Sequence, residues 1–230
     1  MSDAGEVLLD HPIWSALTTR QKHLAEGGPR ALRFPVTIAP FADMPDMTPA
    51  GFAALGELLA PSQVAVLFTP EPVDVPAGFR VVLAEPGEQM IGSPADSPLR
   101  GAEIVRLGAA DVPAMTALVA LTKPGPFAER THELGTFLGI RIGGQLVAMT
   151  GERMKPGRFT EMTAVCVHPD HRGRGYAQAL LAAVARQIEA RGEVPFLHVF
   201  ASNASAIALY RRQGMRIRRR LHVTALMTAE

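Results

Sequence analysis

The sequence of 230 residues predicts an α/β protein. Its second half alternates strand-like and helix-like patterns, and its first half ends in two apolar runs, Val64 to Phe68 and Phe79 to Leu83, that predict buried strands. No stretch approaches the roughly 18 consecutive apolar residues of a membrane span, so no membrane partner is expected. The acidic N-terminus lacks the apolar run of a secretory signal, and Cys166 is the single cysteine. These two observations together predict a cytoplasmic protein.

Charge and proline content divide the chain into two parts. Residues 1–100 carry 6 basic and 12 acidic residues, whereas residues 101–230 carry 17 and 10. Thirteen of the 19 prolines lie in the first part. A shift of this kind predicts a domain boundary, with a small α/β region at 1–97 and a second domain at 98–230. The segment from Glu85 to Gly101 is rich in Gly, Pro and Ser and is predicted to be an irregular linker.

The first hundred residues carry few chemical signals. Trp14, Leu17 and Leu24 are predicted to share one helix, and Phe52 to Leu59 shows the spacing of a second helix. His11 and His23 are interpreted as surface or capping groups. We find no catalytic constellation in this part.

The second part is readable element by element. Asp111 and Pro113 are typical of a helix start, and Gly143-Gly144 of a hairpin turn. The predicted elements in chain order are a strand at 103–107, a helix at 112–121, a loop at 122–127, a hairpin at 136–149, a strand at 159–167, a helix at 173–191, a strand at 195–200, a helix at 204–213 and a strand at 215–227. On the last strand, Met215, Ile217 and Leu221 are expected to share one face with Arg219 and Val223.

A glycine-rich loop precedes the helix predicted at 173–191. The first amides of a helix have no partner within the helix, and the helix dipole places partial positive charge there. Gly173 and Gly175 let the backbone approach a bulky anion closely, while Arg172 and Arg174 add positive charge. The pattern predicts a main-chain binding site for a diphosphate.

Two common nucleotide-binding motifs do not fit this loop. A Walker A loop needs a Lys, and no Lys follows Lys155. A dinucleotide fingerprint needs a third Gly where Gln178 stands. The loop therefore either binds a phosphate ligand of another class or is a plain helix start with a glycine-rich turn.

Two spacings in this part of the chain carry a resemblance to a known family. The first is Arg172-x-x-Gly175-x-Ala177 after a strand, and the second is Asn203-x-x-Ala206-x-x-x-Tyr210 followed by Gly214-Met215. In these residues, over about 101–230, the sequence resembles the GNAT acetyltransferase superfamily, with Met215 in place of its closing aromatic residue. The layout is also similar to the glycine N-acyltransferase-like branch, in which a degenerate N-terminal half precedes a working one.

The resemblance implies a mixed, mostly antiparallel sheet flanked by helices, with acetyl-CoA as the co-substrate. Backbone groups of Val165, Cys166 and Val167 would pair with the pantetheine arm, as an added strand would. Asn203 and Ala206 of the second motif would lie along the same arm. The pyrophosphate would be held by the loop Arg172, Gly173, Arg174, Gly175, Tyr176, Ala177 and Gln178. Two strands would separate at Val167 and Phe200 to admit the cofactor.

The predicted reaction is direct transfer of the acetyl group to the amine of a small molecule or peptide, without a covalent enzyme intermediate. Tyr210 is the candidate acid, because a phenol with a pKa of about 10 stays protonated at neutral pH and can donate to a thiolate whose thiol has a pKa of about 8.5. A strand amide near Val165 to Val167 would stabilise the oxyanion.

Three side chains compete for the role of general base. Glu161 has the spacing of the catalytic Glu in histone-acetyltransferase-type members, eleven residues before Arg172. His198 lies on the neighbouring strand, where members that acetylate protein N-termini carry their base. Glu152 is a third candidate, and water could replace all three if the amine enters neutral.

Several alternatives stay open in the sequence. The six arginines of residues 211–220 could bind nucleic acid, but their strand-like rhythm and the absence of interleaved aromatic residues favour a solvated strand face, or an aid to the cofactor's phosphates, without a nucleic-acid partner. A non-catalytic acetyl-CoA sensor is the other alternative.

Cys166 is interpreted as a buried apolar residue, and no spacing indicates a metal site. Phe127, in the loop from Thr122 to Arg130, is predicted to line the acceptor pocket. The sequence does not indicate the oligomeric state.

Overall fold

The computed structural model describes residues 3–97, 99 and 101–229, which form a small sheet, a large sheet and five α-helices. The small sheet contains β1 (Glu26–Gly28), β2 (Ala31–Arg33) and β3 (Ala42–Asp43). The large sheet contains β4 (Ala65–Thr69), β5 (Phe79–Ile91), β6 (Ile104–Leu107), β7 (Phe137–Ile142), β8 (Gln145–Glu152), β9 (Phe159–Val167), β10 (Val194–Phe200) and β11 (Arg216–Thr228). The α-helices are α1 (Pro12–Thr18), α2 (Pro49–Leu58), α3 (Val112–Thr122), α4 (Tyr176–Ala190) and α5 (Ala204–Arg212). Short 3₁₀ helices lie at Asp3–Leu9, Lys22–Leu24, Ala109–Asp111, Thr131–Leu134 and Pro169–His171.

The strand order of the large sheet is β4-β11-β5-β10-β9-β8-β7-β6. Every neighbouring pair in it is antiparallel except β9 and β10, which are parallel. The predicted mixed, mostly antiparallel α/β fold is therefore confirmed. Among the described residues, no helix combines the length and the apolar character needed to cross a bilayer.

Helices cover both faces of the large sheet. Leu180 and Val184 of α4 pack in one core cluster with Leu138 of β7, whereas Leu118 of α3 packs in another with Phe137, the preceding residue of the same strand. Consecutive strand residues point to opposite faces, so α3 and α4 lie on opposite sides of the sheet. A third cluster joins α1 to β4 and to the second half of β11.

The linker prediction for Glu85 to Gly101 is wrong in its first half. Strand β5 runs to Ile91 and pairs with β11 on one side and β10 on the other. Pro86 is tolerated because the pairing with β10 begins only at Gly87. The polar side chains that follow are held by β11, where Arg220 bonds to Glu88 and Arg218 to Gln89. Pairing with β10 and β11 thus holds this segment in a strand although its Gly and Pro residues favour a loop.

Two further expectations are corrected. Helix α1 ends at Thr18, so Leu24 lies on a separate 3₁₀ helix rather than on the same helix as Trp14. In β11 a bulge places Arg218 as an extra residue between the pairs made by Ile217 and Arg219. One inserted residue reverses the inward face of a strand. Ile217 consequently packs with the α4 cluster, whereas Leu221 packs with the α1 cluster on the other side.

The two regions predicted at 1–97 and 98–230 share one sheet. Strands β4 and β5 precede the proposed boundary, and both pair with β11. Pro98 and Arg100, on or next to that boundary, lie outside the described residues. The boundary itself stays a prediction.

Candidate active site

A cavity of about 780 Å³ passes between β9 and β10. The parallel pairing of these strands ends at Phe196 and Glu161, and the strands separate beyond that pair. The gap therefore opens from Met162 and Leu197 onward, earlier along both strands than the expected separation at Val167 and Phe200. A cavity of this size accommodates a medium-sized organic ligand.

A bulge in β9 shapes one wall of the cavity. Met149 pairs with Cys166 and Gly151 with Thr163, so β9 carries one residue more than β8 across this interval. Ala164 adopts a positive φ of 52° there. A bulge takes backbone groups out of the ladder. Main-chain groups around Val165 are thereby left without Cα partners on β8, at the edge of the gap.

The glycine-rich loop forms one end of the cavity. Gly173 and Gly175 adopt φ angles of 75° and 78°, and α4 begins immediately after them at Tyr176. No side chain caps this helix start. The loop residues that line the cavity are Arg172, Gly173, Arg174, Gly175, Tyr176, Ala177 and Gln178. The loop with its two arginines and the uncapped start of α4 thus lie at the cavity, and the anion site predicted there stays a prediction.

Asn203 and Ala206 line the same cavity from the start of α5. The Asn203 side-chain oxygen caps this helix by accepting from the Ala206 backbone amide at 3.2 Å. Its oxygen serves the helix, so the side-chain amide group is the part that remains for a ligand. Val165, Cys166 and Val167 line the cavity from the end of β9.

Tyr210 lies in the middle of the cavity wall with its ring buried in the core cluster of α4. Its hydroxyl makes no hydrogen bond to any residue that the structure describes. Burial raises the pKa of Tyr210 to about 12. The hydroxyl therefore stays protonated over the whole physiological range and is available as a donor toward the cavity.

Glu161 is part of a buried ion pair. Its carboxylate accepts two hydrogen bonds from Arg153, Nε to Oε2 at 2.8 Å and Nη2 to Oε1 at 2.6 Å, and neither side chain is more than 8% exposed. Burial alone would raise the pKa of Glu161, but the Arg153 guanidinium and the hydrogen bond from His198 outweigh it and lower the pKa to about 2. Glu161 does not line the cavity, and neither does Glu152, the third candidate base, which is buried in ion pairs with Lys155 and Arg191. A carboxylate held in this way is a poor general base.

His198 connects this ion pair to the cavity. Its Nδ1 lies 2.7 Å from Glu161 Oε1, so the ionised carboxylate selects the tautomer that carries the proton on Nδ1. Its Nε2 lies 3.0 Å from Gln89 Nε2, and Arg218 fixes that amide by donating to Gln89 Oε1 at 2.9 Å. Nε2 therefore holds a lone pair, which accepts from Gln89 in this structure.

Several residues of this site carried no sequence signal. Arg153 and Gln89 belong to no motif, and the first hundred residues supply part of the cavity wall through Phe41, Val66, Phe68 and Leu83. Residues Thr122 to Pro126 line the cavity, but Phe127 does not. Its ring packs edge-on against Phe137, with the centroids 5.8 Å apart, which corrects its predicted place in the acceptor pocket.

The arginines of β11 are largely paired within the chain. Arg216 forms an ion pair with Glu6, Arg218 with Glu6 and Asp10, Arg219 with Asp10, and Arg220 with Glu88. These contacts tie the last strand to the N-terminal 3₁₀ helix and to β5. Arg216 and Arg220 are each 62% exposed, so this stretch of β11 presents solvated side chains whose charges are balanced within the chain. Within the described part of the chain, no group of three or more His, Cys, Asp or Glu side chains is arranged to hold a metal ion.

Comparisons with known proteins agree with this geometry. Residues 137–223 match the model of the FR47-like protein family. The chain is 34% identical over 110 residues to the N-alpha-acetyltransferase RimI of Mycobacterium tuberculosis, covering 43% of this chain and 68% of that protein. A crystal structure from Novosphingobium aromaticivorans, described as an acetyltransferase of the GNAT family, is 42% identical with a TM-score of 0.87, covering 97% of this chain and 99% of that one. A GCN5-related N-acetyltransferase from Kribbella flavida shares the fold, with a TM-score of 0.65 at 17% identity over 100% of this chain and 97% of its own. The chain belongs to the GNAT family of acetyltransferases.

Proposed function

We propose that this acetyltransferase uses acetyl-CoA and transfers the acetyl group directly to an amine. The observation that carries the proposal is the position of Tyr210, whose ring is buried and whose hydroxyl faces the cavity without a described partner. A hydroxyl that lines a cavity and bonds to no described residue is free to donate to a ligand there. The thioester sulfur is the group that this hydroxyl would meet.

The cofactor would bind along a path marked by main-chain groups. The loop from Arg172 to Gln178 would hold the pyrophosphate with backbone amides and two arginines. The pantetheine arm would lie in the gap between β9 and β10, against Val165 to Val167 on one side and Asn203 and Ala206 on the other. When bound, acetyl-CoA supplies the activated acetyl group as a thioester.

In the proposed reaction the amine nitrogen attacks the carbonyl carbon, an N–C bond forms and the C–S bond breaks. The amine loses one proton, and the departing thiolate gains one from Tyr210. A phenol with a pKa of about 12 gives up its proton reluctantly to a thiolate in water. Tyr210 therefore acts first as a hydrogen-bond donor to the developing charge, with full transfer helped by the dry surroundings that also raise the pKa of a thiol.

The geometry favours His198 over Glu161 as the group that receives the amine proton. His198 lines the cavity and carries a lone pair on Nε2, whereas Glu161 is paired behind it. Glu161 is then a positioning residue, because it fixes the tautomer and orientation of the imidazole. An incoming amine has to replace Gln89 as the partner of Nε2.

Cys166 supports transfer without a covalent enzyme intermediate. Burial raises the pKa of its thiol to about 11, so the reactive thiolate is scarce near neutral pH. Its side chain packs with α3 in the cluster that contains Met115 and Leu118.

The two predicted regions have different roles in this proposal. Residues 98–230 bind the cofactor, and residues 1–97 complete the acceptor side of the cavity.

The proposal is tested by blocking the anion site at Gly175. Gly175→Glu places a carboxylate in the loop, whereas Gly192→Glu makes the same change at the other end of α4, where φ is also about 75° and the space is open. Both variants carry similar backbone strain. Calorimetry should show acetyl-CoA binding lost in Gly175→Glu and kept in Gly192→Glu. Equal affinity in both would remove the assignment, and binding without turnover on any amine would favour an acetyl-CoA sensor.

A further inference from the structure

The acceptor end of the cavity lies on the face of the sheet opposite the cofactor loop. Its apolar walls belong to the core cluster under α1, whereas Tyr176 and Tyr210 belong to the cluster under α4. The cavity therefore crosses the sheet through the gap between β9 and β10, and an amine reaches the thioester from the α1 side. The residues that form most of this apolar chamber are Phe41, Val66, Phe68, Leu221 and Val223.

Two polar side chains project among these apolar walls, and each rests on an aromatic ring. Arg153 Cζ lies 4.4 Å from the centroid of the Phe41 ring, and the His198 ring centroid lies 4.5 Å from that of Phe68. Arg153 uses Nε and Nη2 for Glu161, and its Nη1 donates to no residue that the structure describes. The guanidinium therefore keeps donors free for a ligand in the chamber.

Arg153 and His198 also lie side by side. Arg153 Nη2 and His198 Nδ1 both bond to the same oxygen, Glu161 Oε1, at 2.6 Å and 2.7 Å. Because this shared oxygen makes the two side chains neighbours, a ligand that meets Arg153 Nη1 and His198 Nε2 is expected to carry its acceptor group near its amine. A carboxylate and an amine on one carbon atom satisfy this spacing.

The charges around the cavity favour an acidic group on the ligand. Lys123, Arg153, Arg172 and Arg174 line it, whereas none of its described lining residues is Asp or Glu. A polyamine would bring additional positive charges toward these cations with no acidic partner to meet them. In the proposed function the loop from Arg172 serves the cofactor. Glu161 balances the charge of Arg153, so Arg153 would offer the acceptor its Nη1 donor, whereas Lys123 would offer a positive charge.

We propose that the acceptor is a small apolar amine with an adjacent carboxylate, as in an apolar α-amino acid, with the carboxylate on Arg153 and the apolar body against Phe41, Phe68 and Val223. This inference rests on the proposed function. It also assigns a role to the first hundred residues, which build the specificity wall of the reaction.

Three matched amines test the chemistry of the acceptor in the full-length enzyme with acetyl-CoA, by thiol release. L-phenylalanine carries both features, 2-phenylethylamine lacks the carboxylate, and glycine lacks the apolar body. We expect kcat/KM for L-phenylalanine to exceed that of each of the other two by roughly tenfold or more, because each lacks one recognised group. Spermidine and a short peptide with a free N-terminus represent the competing acceptor classes.

Two variants assign the recognition to its residues. Arg153→Lys keeps the charge beside Glu161 but loses the planar fork, so KM should rise for L-phenylalanine more than for 2-phenylethylamine. Val223→Phe fills the chamber and should raise KM for L-phenylalanine while sparing glycine. Val82→Phe adds the same ring on the exposed part of β5 and is the matched control.

Measuring acetyl-CoA binding by calorimetry distinguishes failure of the proposed function from failure of the acceptor assignment. If acetyl-CoA fails to bind, the proposed function and this inference fail together. If acetyl-CoA binds but spermidine or the peptide is the preferred substrate, or no amino acid is acetylated, only this inference is overturned. Preference for L-phenylalanine that disappears in Arg153→Lys supports it.

Discussion

Replacing Glu161 by Gln tests the buried ion pair that orients His198. The substitution keeps the size of the side chain but leaves the Arg153 guanidinium buried without a counter-ion. Removing one member of a buried, hydrogen-bonded pair costs about 3–5 kcal/mol of stability. The Glu161 side chain is fully buried and that of Arg153 is 8% exposed, so solvent screening reduces this cost little.

The pKa of Glu161 gives an independent magnitude and a sign. Its folded value of about 2 lies below the unfolded value of 4.5, so ionisation stabilises the folded state. The difference corresponds to about 3 kcal/mol, which is fully present above about pH 4.5 and is lost as the pH falls toward 2. The stability gap between the parent and Glu161→Gln should therefore narrow on acidification.

Urea unfolding of four proteins measures this effect. The parent, Glu161→Gln, Arg153→Met and the double variant form a mutant cycle, and the double variant should be more stable than the sum of the single losses predicts, because Met fills the space without leaving a charge. The curves are recorded at several pH values from 7 to 3. A loss below about 1 kcal/mol in Glu161→Gln, or strict additivity in the cycle, would refute the reasoning.

Three further outcomes follow from the site and its surroundings. Tyr210→Phe should lower kcat by roughly 10²- to 10⁴-fold while the unfolding free energy stays unchanged, since the hydroxyl has no described protein partner; undiminished kcat would exclude the acid role. Cys166→Ala should keep parental turnover, and the parent should resist thiol alkylation at pH 8, because burial raises the pKa of the thiol to about 11; rapid inactivation by iodoacetamide would contradict this. Gly151→Ala should destabilise the protein by about 1–3 kcal/mol in urea unfolding, because a Cβ would overlap the Phe137 ring; an unchanged midpoint would show that the ring can move.

The features that the sequence predicted correctly are local ones. The helix stripe of α4, the Gly143-Gly144 turn and the loop before Tyr176 each depend on residues within a few positions of one another. Local periodicity and turn chemistry are sufficient for such elements. The spacing of the two motifs likewise brought Asn203 and Tyr210 to one cavity with the loop at Arg172.

The features that escaped prediction depend on contacts between distant segments. The spacing of Glu161 predicted a general base. In the structure Glu161 is instead paired with Arg153 and does not line the cavity, whereas His198 does. The wall formed by Phe41 and Phe68 arises because β4 joins the sheet through β11. These contacts join segments that are far apart in the chain, so no local sequence pattern predicts them. The bulges in β9 and β11 also have no recognisable sequence pattern.

The position of β11 has a consequence for folding. β4 and β5 do not pair with each other, and the strand that separates them is the last one along the chain. Until that strand docks, both earlier strands present open edges to solvent, which are templates for association with other chains. Contacts between such distant segments form slowly because closing long loops costs entropy. We therefore expect folding intermediates of this enzyme to aggregate readily.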